Sequence, residues 1–329
     1  MTEPSQSVTS SALGGAHPFF ASLNGDGAVA TARRLFLATR PKFLTASILP
    51  LLLGTAIGAR VAGAFDWVVL LFALGAVAFV HCGANILNDV FDDMSGADVP
   101  QHGIFPYTGG SRFIQNAVMT RRQMAAWGVG TLMIGALFGT AVIALKGPVA
   151  LVLGIAGIAL GTLYTMPPVQ LGYRGLGELS VGLAFGPLPV LGAAWLQSGT
   201  WPPAAALSSA AVGCWVAAIL LINEVPDLVG DTSAGKRTLV VRFGRLATQR
   251  IYQGLMTGAA GSSLALAFVG LPLWIAVVPV AASAAGAGLS GPIHDATLSS
   301  DVLKKRLEAT LAIHAIGTLW LTLVTWGWL

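Results

Sequence analysis

Residues 67–98 read WVVLLFALGAVAFVHCGANILNDVFDDMSGAD. The segment opens on a long apolar run in which His81 is the one strongly polar side chain. It then sets Asp89, Asp92, Asp93 and Asp98 within ten residues of one another. A helix needs about 20 apolar residues to cross a bilayer, and inside hydrocarbon every backbone polar group must be satisfied within the segment. The stretch therefore reads as a membrane-spanning helix that runs into a dense patch of negative charge.

The rest of the chain supports that class. Its 329 residues are 55% hydrophobic and 10% charged, with a mean hydropathy of +0.75, whereas a soluble domain carries about 25% charged residues. Apolar runs mark nine candidate helices, at 43–63, 67–88, 124–145, 147–165, 176–197, 203–222, 252–270, 272–289 and 308–327. The fold class expected is an all-α membrane protein, a bundle of nine transmembrane helices forming one domain over 29–329. Residues 1–28 are polar and rich in Ser and Gly, which reads as a disordered cytoplasmic tail. Cys82 and Cys214 both lie in apolar runs and read as buried free thiols.

Basic residues set the orientation. With the N-terminus cytoplasmic, every Lys and Arg except Arg60 and Lys146 falls on the cytoplasmic side, as the positive-inside rule requires. This sorting also accounts for the sequence pI of 9.3, so the basic excess does not argue for nucleic acid as a partner. The first acidic cluster then lies on the cytoplasmic loop after the second helix.

A second cluster follows the sixth helix, in INEVPDLVGDTSAGKRTLVVRFGR at 222–245. Asn88-Asp89-Val90-Phe91-Asp92 matches Asn223-Glu224-Val225-Pro226-Asp227, which makes a weak internal repeat; polar sites in membrane proteins often form where such repeats meet. Asn88 and Asp92 are four apart, as are Asn223 and Asp227, and Asp227 and Asp231. On a continuing helix that spacing puts both oxygen-bearing side chains on one face. Two copies facing each other would form a cage of hard oxygen ligands suited to Mg²⁺, which takes one or two carboxylates beside water and phosphate. Arg112, Lys236 and Arg237 stand close to the acids along the chain. Acids for a metal beside cations for phosphate suggest a metal–diphosphate site.

Four stretches carry a resemblance: RPKFLTASILPLLLG at 40–54, NDVFDDMSGAD at 88–98, YRGLGELSVGLAFG at 173–186 and DLVGDTSAGKRTLVVRFG at 227–244. Together they resemble the UbiA superfamily of intramembrane prenyltransferases, and within it the 1,4-dihydroxy-2-naphthoate polyprenyltransferases of menaquinone biosynthesis. Gly96 stands where the broader family carries its third acid, which comes here at Asp98, a spacing similar to the naphthoate branch. Glu224 and Pro226 depart from that branch, which often has Asn and Arg there.

The resemblance implies a chemistry. Asp92, Asp98, Asp227 and Asp231, with Asp89, would hold Mg²⁺ on a polyprenyl diphosphate, helped by Asn88 and Asn223. Arg112, Lys236 and Arg237, with Lys42, would stabilise the leaving group. The allylic C–O bond would break, and an aromatic acceptor would attack the cation and lose its ring carboxylate as CO₂. Tyr164, Tyr173 and Arg174 border the loop YTMPPVQLGYRGLGE and are candidates for lining the acceptor site. Glu178 near a helix start, and His81 and His314 in apolar helices, carry weaker signals. Partners implied are the two substrates and membrane lipid, in a multi-pass protein of the inner membrane, if bacterial, with its site facing the cytoplasm. Homogentisate, 4-hydroxybenzoate and haem stay open as acceptors. A cation-coupled transporter is the rival class, and it would place its key acids near the bilayer midplane.

Overall fold

The computed structural model describes residues 18–327, apart from 24, 26, 99–109, 292, 294 and 296–298. Among these residues all regular structure is helical: α1 Ala28–Ala38, α2 Thr45–Ala62, α3 Trp67–Ser95, α4 Arg121–Lys146, α5 Pro148–Leu163, α6 Gly177–Phe185, α7 Pro187–Ser198, α8 Pro203–Glu224, α9 Leu228–Ser233, α10 Leu239–Leu264, α11 Val277–Leu289 and α12 Ser300–Trp326. Six segments are long and apolar enough to cross a bilayer: Pro41–Ala62, Trp67–Ser95, Arg121–Lys146, Gly177–Ser198, Pro203–Glu224 and Asp301–Trp326. Pro148–Leu163 and Leu273–Leu289 are apolar but shorter. The protein is an integral, multi-pass membrane protein.

Several expected boundaries move, each for a local reason. The helix expected over 67–88 continues to Ser95, so Asp89, Asp92 and Asp93 lie on a helix rather than on the loop after it. The helix expected over 176–197 breaks between Phe185 and Pro187. Pro187 has no N–H to give to the helix, and a Cβ on Gly186 would lie 2.5 Å from the Ser209 carbonyl oxygen of α8. The seventh expected helix begins before 252: Leu239–Leu264 is helical on both sides of a break at Gly244, whose φ of +74 and ψ of 173 are not helical, and Arg245 and Arg250 mask the first turns after the break from a hydropathy reading. Thr238 caps the short piece before the break, accepting from the Val241 N–H. The last helix likewise begins eight residues early, where Ser299 accepts from the Val302 N–H.

Of the expected N-terminal tail, residues 1–17, 24 and 26 lie outside the described residues. Phe20 and Leu23 pack into a small apolar cluster with Ile86, Phe113 and Met124.

Helix α8 is the hub, packed against α2, α6, α7, α10 and α12. Trp215, Leu221 and Ile222 on it are buried, and the Trp215 indole donates to Ser283 Oγ at 3.0 Å, the partner a buried N–H needs. Lipid tails are as apolar as a helix face, so helices in a bilayer associate through close contact rather than hydrophobic exclusion. Gly54 and Gly58 of α2 show this: a Cβ there would come within 2.1 Å of the Val190 carbonyl oxygen and 2.4 Å of that of Ala194, both on α7.

On the other side of the bundle α2–α8 surround a cavity of about 490 Å³. Its α3 wall is a single face, Ala73, Ala76, Val77, Val80, His81, Ala84, Asn85, Asn88 and Asp92, at the spacing a helix stripe requires. At 1.5 Å per residue that face runs roughly 28 Å, close to the hydrocarbon thickness of about 30 Å. Small residues such as Gly135, Gly139, Gly157 and Gly161 leave the room. Carboxylates crowd one end only.

Candidate active site

Both acidic motifs are shaped by the same helix ending. Gly96 has φ +77, a left-handed conformation that favours glycine. There the Ala97 N–H reaches the Asp92 carbonyl at 3.0 Å and the Gly96 N–H that of Asp93 at 3.3 Å, the Schellman pattern. The turn carries Asp98 back into the interior, where it is buried. In the second motif Gly235 has φ +70. The Lys236 N–H reaches the Asp231 carbonyl at 2.8 Å and the Gly235 N–H that of Thr232 at 3.2 Å. Asp92 and Asp231 thus each stand four residues before a left-handed glycine, and the second turn delivers Lys236 inward.

The spacing argument holds for the first motif, where Asn88 and Asp92 share the cavity face of α3. In the second it does not hold as expected. Pro226 cannot continue α8, the helix stops at Glu224, and Asp227 sits between it and α9. Asp227 and Asp231 nonetheless both line the cavity.

Two cations join the motifs. Lys236 Nζ lies 3.5 Å from Asp92 and 3.6 Å from Asp231. Arg112 lies 3.2 Å from Asp98 and 3.6 Å from Asp227. Arg40 approaches Asp89 at 3.9 Å, and the Ser111 N–H donates to the same carboxylate at 2.9 Å. The Tyr173 hydroxyl donates to Asp92 Oδ1 at 2.7 Å and hydrogen-bonds Ser95 Oγ, while Lys236 sits 5.3 Å over its ring. Burial pushes Asp98 up to about 7 against the pull of Arg112, and pushes Asp231 up to about 7 against Lys236. Burial opposes the Lys236 charge, but Asp92 and Asp231 hold its ammonium well above the ordinary lysine range. Burial, and then the Asp92 charge, keep the Tyr173 phenol protonated as a donor.

Not every expected site residue comes here. Asp92, Asp227, Asp231, Lys236, Asn88, Asn223 and Tyr164 line the cavity, and Asp89, Asp98, Arg112 and Tyr173 touch that group. Arg237 is exposed, its N–H on the Tyr173 carbonyl. Arg174 is exposed and donates to the Pro168 carbonyl. Lys42 is exposed and does not line the cavity. Asp93 faces away, paired with Arg121 at 2.6 Å. Sequence reasoning missed Arg40, which lines the cavity, and Gly110, where a Cβ would lie 2.5 Å from Asp98 Oδ2 and 3.2 Å from Asp89 Oδ1. The one signal for Arg40 was its place at the head of RPKF; Gly110 had none.

The expected cage is divided by its own cations: among the described residues no three acids converge as a metal-holding group. The donors still fit a divalent ion. Asp98 Oδ2 and Asp89 Oδ1 are buried, accept no hydrogen bond and face the same glycine, and Mg²⁺ needs only one or two carboxylates if phosphate supplies the rest.

The profile of the UbiA prenyltransferase family matches residues 47–295. The chain belongs to the UbiA prenyltransferase family. Among its relatives is the 1,4-dihydroxy-2-naphthoate octaprenyltransferase of Mycobacterium tuberculosis, 33% identical over 77% of this chain and 85% of that protein. The enzyme of the same name from Escherichia coli is 34% identical over 67% and 71%. In fold, this UbiA family member is similar to a UbiA homolog from Archaeoglobus fulgidus bound to GPP and Mg²⁺, with a TM-score of 0.66 at 14% identity over 89% of this chain and 99% of that one.

Proposed function

We propose that this chain transfers a polyprenyl group from its diphosphate to 1,4-dihydroxy-2-naphthoate, in a Mg²⁺-dependent reaction that yields a demethylmenaquinol, the reduced form of demethylmenaquinone. The observation that carries the reading is the pair of bridges, Asp92–Lys236–Asp231 and Asp98–Arg112–Asp227, at the mouth of an apolar cavity. The names of the relatives supply the acceptor.

Lys236 and Arg112 meet the negative charge that builds on the departing diphosphate, in a dry site where such contacts are strong. Asp92, Asp98, Asp227 and Asp231, with Asp89, would hold Mg²⁺, which when bound neutralises the diphosphate oxygens. Asn88, one turn along α3 from Asp92, and Asn223 line the cavity with these acids, where they would meet the allylic end of the prenyl group. As the C–O bond breaks, the apolar wall keeps water from the carbocation. The ring carbon attacks, a C–C bond forms, and the ring carboxylate leaves as CO₂. Nine spans with a cytoplasmic N-terminus, counting α5, α10 and α11 with the six longer segments, would put this site on the cytoplasmic side of the membrane, the inner membrane if the protein is bacterial. The positive-inside sorting supports that orientation.

The test is prenyl transfer by the purified protein in lipid nanodiscs, across several rings. Prenylated naphthoquinol that appears with Mg²⁺ and stops with EDTA is the expected result. Transfer only to homogentisate, 4-hydroxybenzoate or haem overturns the acceptor; full activity in EDTA overturns the metal.

A further inference from the structure

Four carboxylates line the cavity: Asp92, Glu224, Asp227 and Asp231. Lys236 pairs with Asp92 and Asp231, and Arg112 with Asp227. Glu224 differs. It is 5% exposed, no ion pair involves it among the described residues, and neither of its oxygens accepts a hydrogen bond. Leaving a buried polar group unsatisfied costs about 1–3 kcal/mol, more if it is charged. Its neighbour Glu178 can meet one of these oxygens at most, so a side chain that lines the cavity keeps the other for a donor from the occupant.

Its depth says which occupant. Glu224 closes α8 three residues before Asp227, and across the cavity Asn88 stands four residues before Asp92. Asn88 Nδ2 and Asn223 Oδ1 are buried without partners as well. Asn88 lies about one helical turn, roughly 5.4 Å, along α3 from Asp92, and Asn223 and Glu224, the last residues of α8, line the same cavity before the chain leaves the helix at Pro226; the three form a layer beside the diphosphate-binding acids. A prenyl group whose diphosphate sits on those acids presents its first carbon to this layer, so the attacking ring must lie in it. Behind Glu224 stands Glu178, buried, within hydrogen-bonding reach and outside the cavity lining.

We infer that Glu224 accepts the hydroxyl of the acceptor ring, so that it determines specificity for hydroxylated rings, and that Glu178 is the positioning residue that orients it. The inference rests on the proposed transfer to an aromatic ring and assigns the residue that reads the ring.

The experiment measures kcat and KM for 1,4-dihydroxy-2-naphthoate and for its monomethyl ethers, with prenyl diphosphate saturating. Wild type, Glu224→Gln, Glu224→Ala and Glu178→Gln are compared. A site built to bond a hydroxyl rejects the analogue lacking it by up to about 10⁴-fold, so the wild type should disfavour one of the ethers by at least about 100-fold. Glu224→Ala should raise the KM of the free ring roughly tenfold to 100-fold and shrink the ether discrimination below about tenfold, with the KM for prenyl diphosphate unchanged. Glu178→Gln should shift the same two quantities less, and have no added effect in the Glu224→Ala background. Unaltered ring KM and ether preference in the Glu224 variants, with the diphosphate KM intact, overturns the inference alone. A wild type that prenylates no hydroxylated ring overturns the proposed function, and this inference with it.

Discussion

The Nζ of Lys236 lies 3.5 Å from Oδ2 of Asp92, joining the two acidic motifs across 144 residues of chain. The same ammonium reaches Asp231 at 3.6 Å, so one side chain sets the separation of the two helix ends. Removing a single preorganised donor to developing charge costs about 100- to 1,000-fold in turnover. Lys236→Met is expected to lose that much of the rate of diphosphate release, and Lys236→Arg to recover part of it. Arg237→Met should change the rate less than threefold, because Arg237 is exposed outside the cavity. Equal losses in the Lys236 and Arg237 variants would contradict the placement.

Tyr173 holds Asp92 in place from the short 3₁₀ helix Leu171–Arg174, 81 residues away, donating to Oδ1 at 2.7 Å. Tyr173→Phe keeps the ring under Lys236 and removes only the donor. A hydrogen bond to a charged group contributes about 1.5–3 kcal/mol, so a shift of roughly tenfold to 100-fold is expected in the Mg²⁺ concentration giving half-maximal activity. Titrating metal against activity checks this; an unchanged midpoint would mean that Asp92 keeps its orientation without the phenol.

Gly110 sets the tightest contact in the acidic group. A Cβ there would meet Asp98 Oδ2 at 2.5 Å, closer than a carboxylate oxygen and a methyl group can sit. Gly110→Ala should lower the rate at least about tenfold, since a displacement of 1 Å at a reacting centre can cost about 100-fold. Gly130→Ala is the control: a Cβ at Gly130 has nothing within 4 Å, and its activity should match the wild type. Comparable losses in both variants would remove the case for a fitted Gly110.

How much of this was legible in the sequence depends on what each residue touches. Asn88 and Asp92 could be placed on one face because an unbroken helix fixes their relation. The break at Gly186–Pro187 was written in the chain too, but an apolar window does not register it. Lys236 and Arg237 are adjacent cations that spacing alone cannot separate. The left-handed Gly235 separates them, turning the first inward and leaving the second on the surface. Arg40 was visible only as one of many basic residues, because its approach to Asp89 is a contact between α3 and the chain just before α2. Glu224 was legible as a departure from a family pattern, while its burial without an ion pair among the described residues is a property of three-dimensional packing.

The pH dependence of metal binding follows from Asp98 and Asp231. Both are pushed from an ordinary 3.8 up to about 7, first by burial. A carboxyl raised in this way favours the fold while protonated, and that contribution is lost as pH rises through 7. Mg²⁺ binds the ionised form and must displace the protons below 7. Its apparent affinity should therefore be level above pH 8 and fall by up to about 100-fold per unit well below pH 7, if both protons are released. Isothermal titration in two buffers of different ionisation heat counts those protons; zero release at pH 6 would refute the linkage.

The α2–α7 crossing tests whether the cavity wall depends on close backbone contact. Gly54 and Gly58 stand four apart on α2, and a Cβ on either would come within 2.4 Å of an α7 carbonyl oxygen. Neither helix can yield locally, since the atoms met are backbone rather than side-chain tips. Overpacking of this kind costs about 1–3 kcal/mol, so Gly54→Ala and Gly58→Ala should each unfold at lower temperature in detergent. Leu51 of α2 and Val190 of α7 are both buried beside this crossing, and Leu51, Ala193 and Leu196 line the cavity from it. Parting the helices therefore widens the wall that keeps water from the carbocation. The double variant should release diphosphate with part of the prenyl group recovered as free alcohol, because water then competes with the ring. A double variant as stable as the wild type would show that the two helices do not hold this spacing, and alcohol-free transfer at reduced stability would show that the wall tolerates their separation.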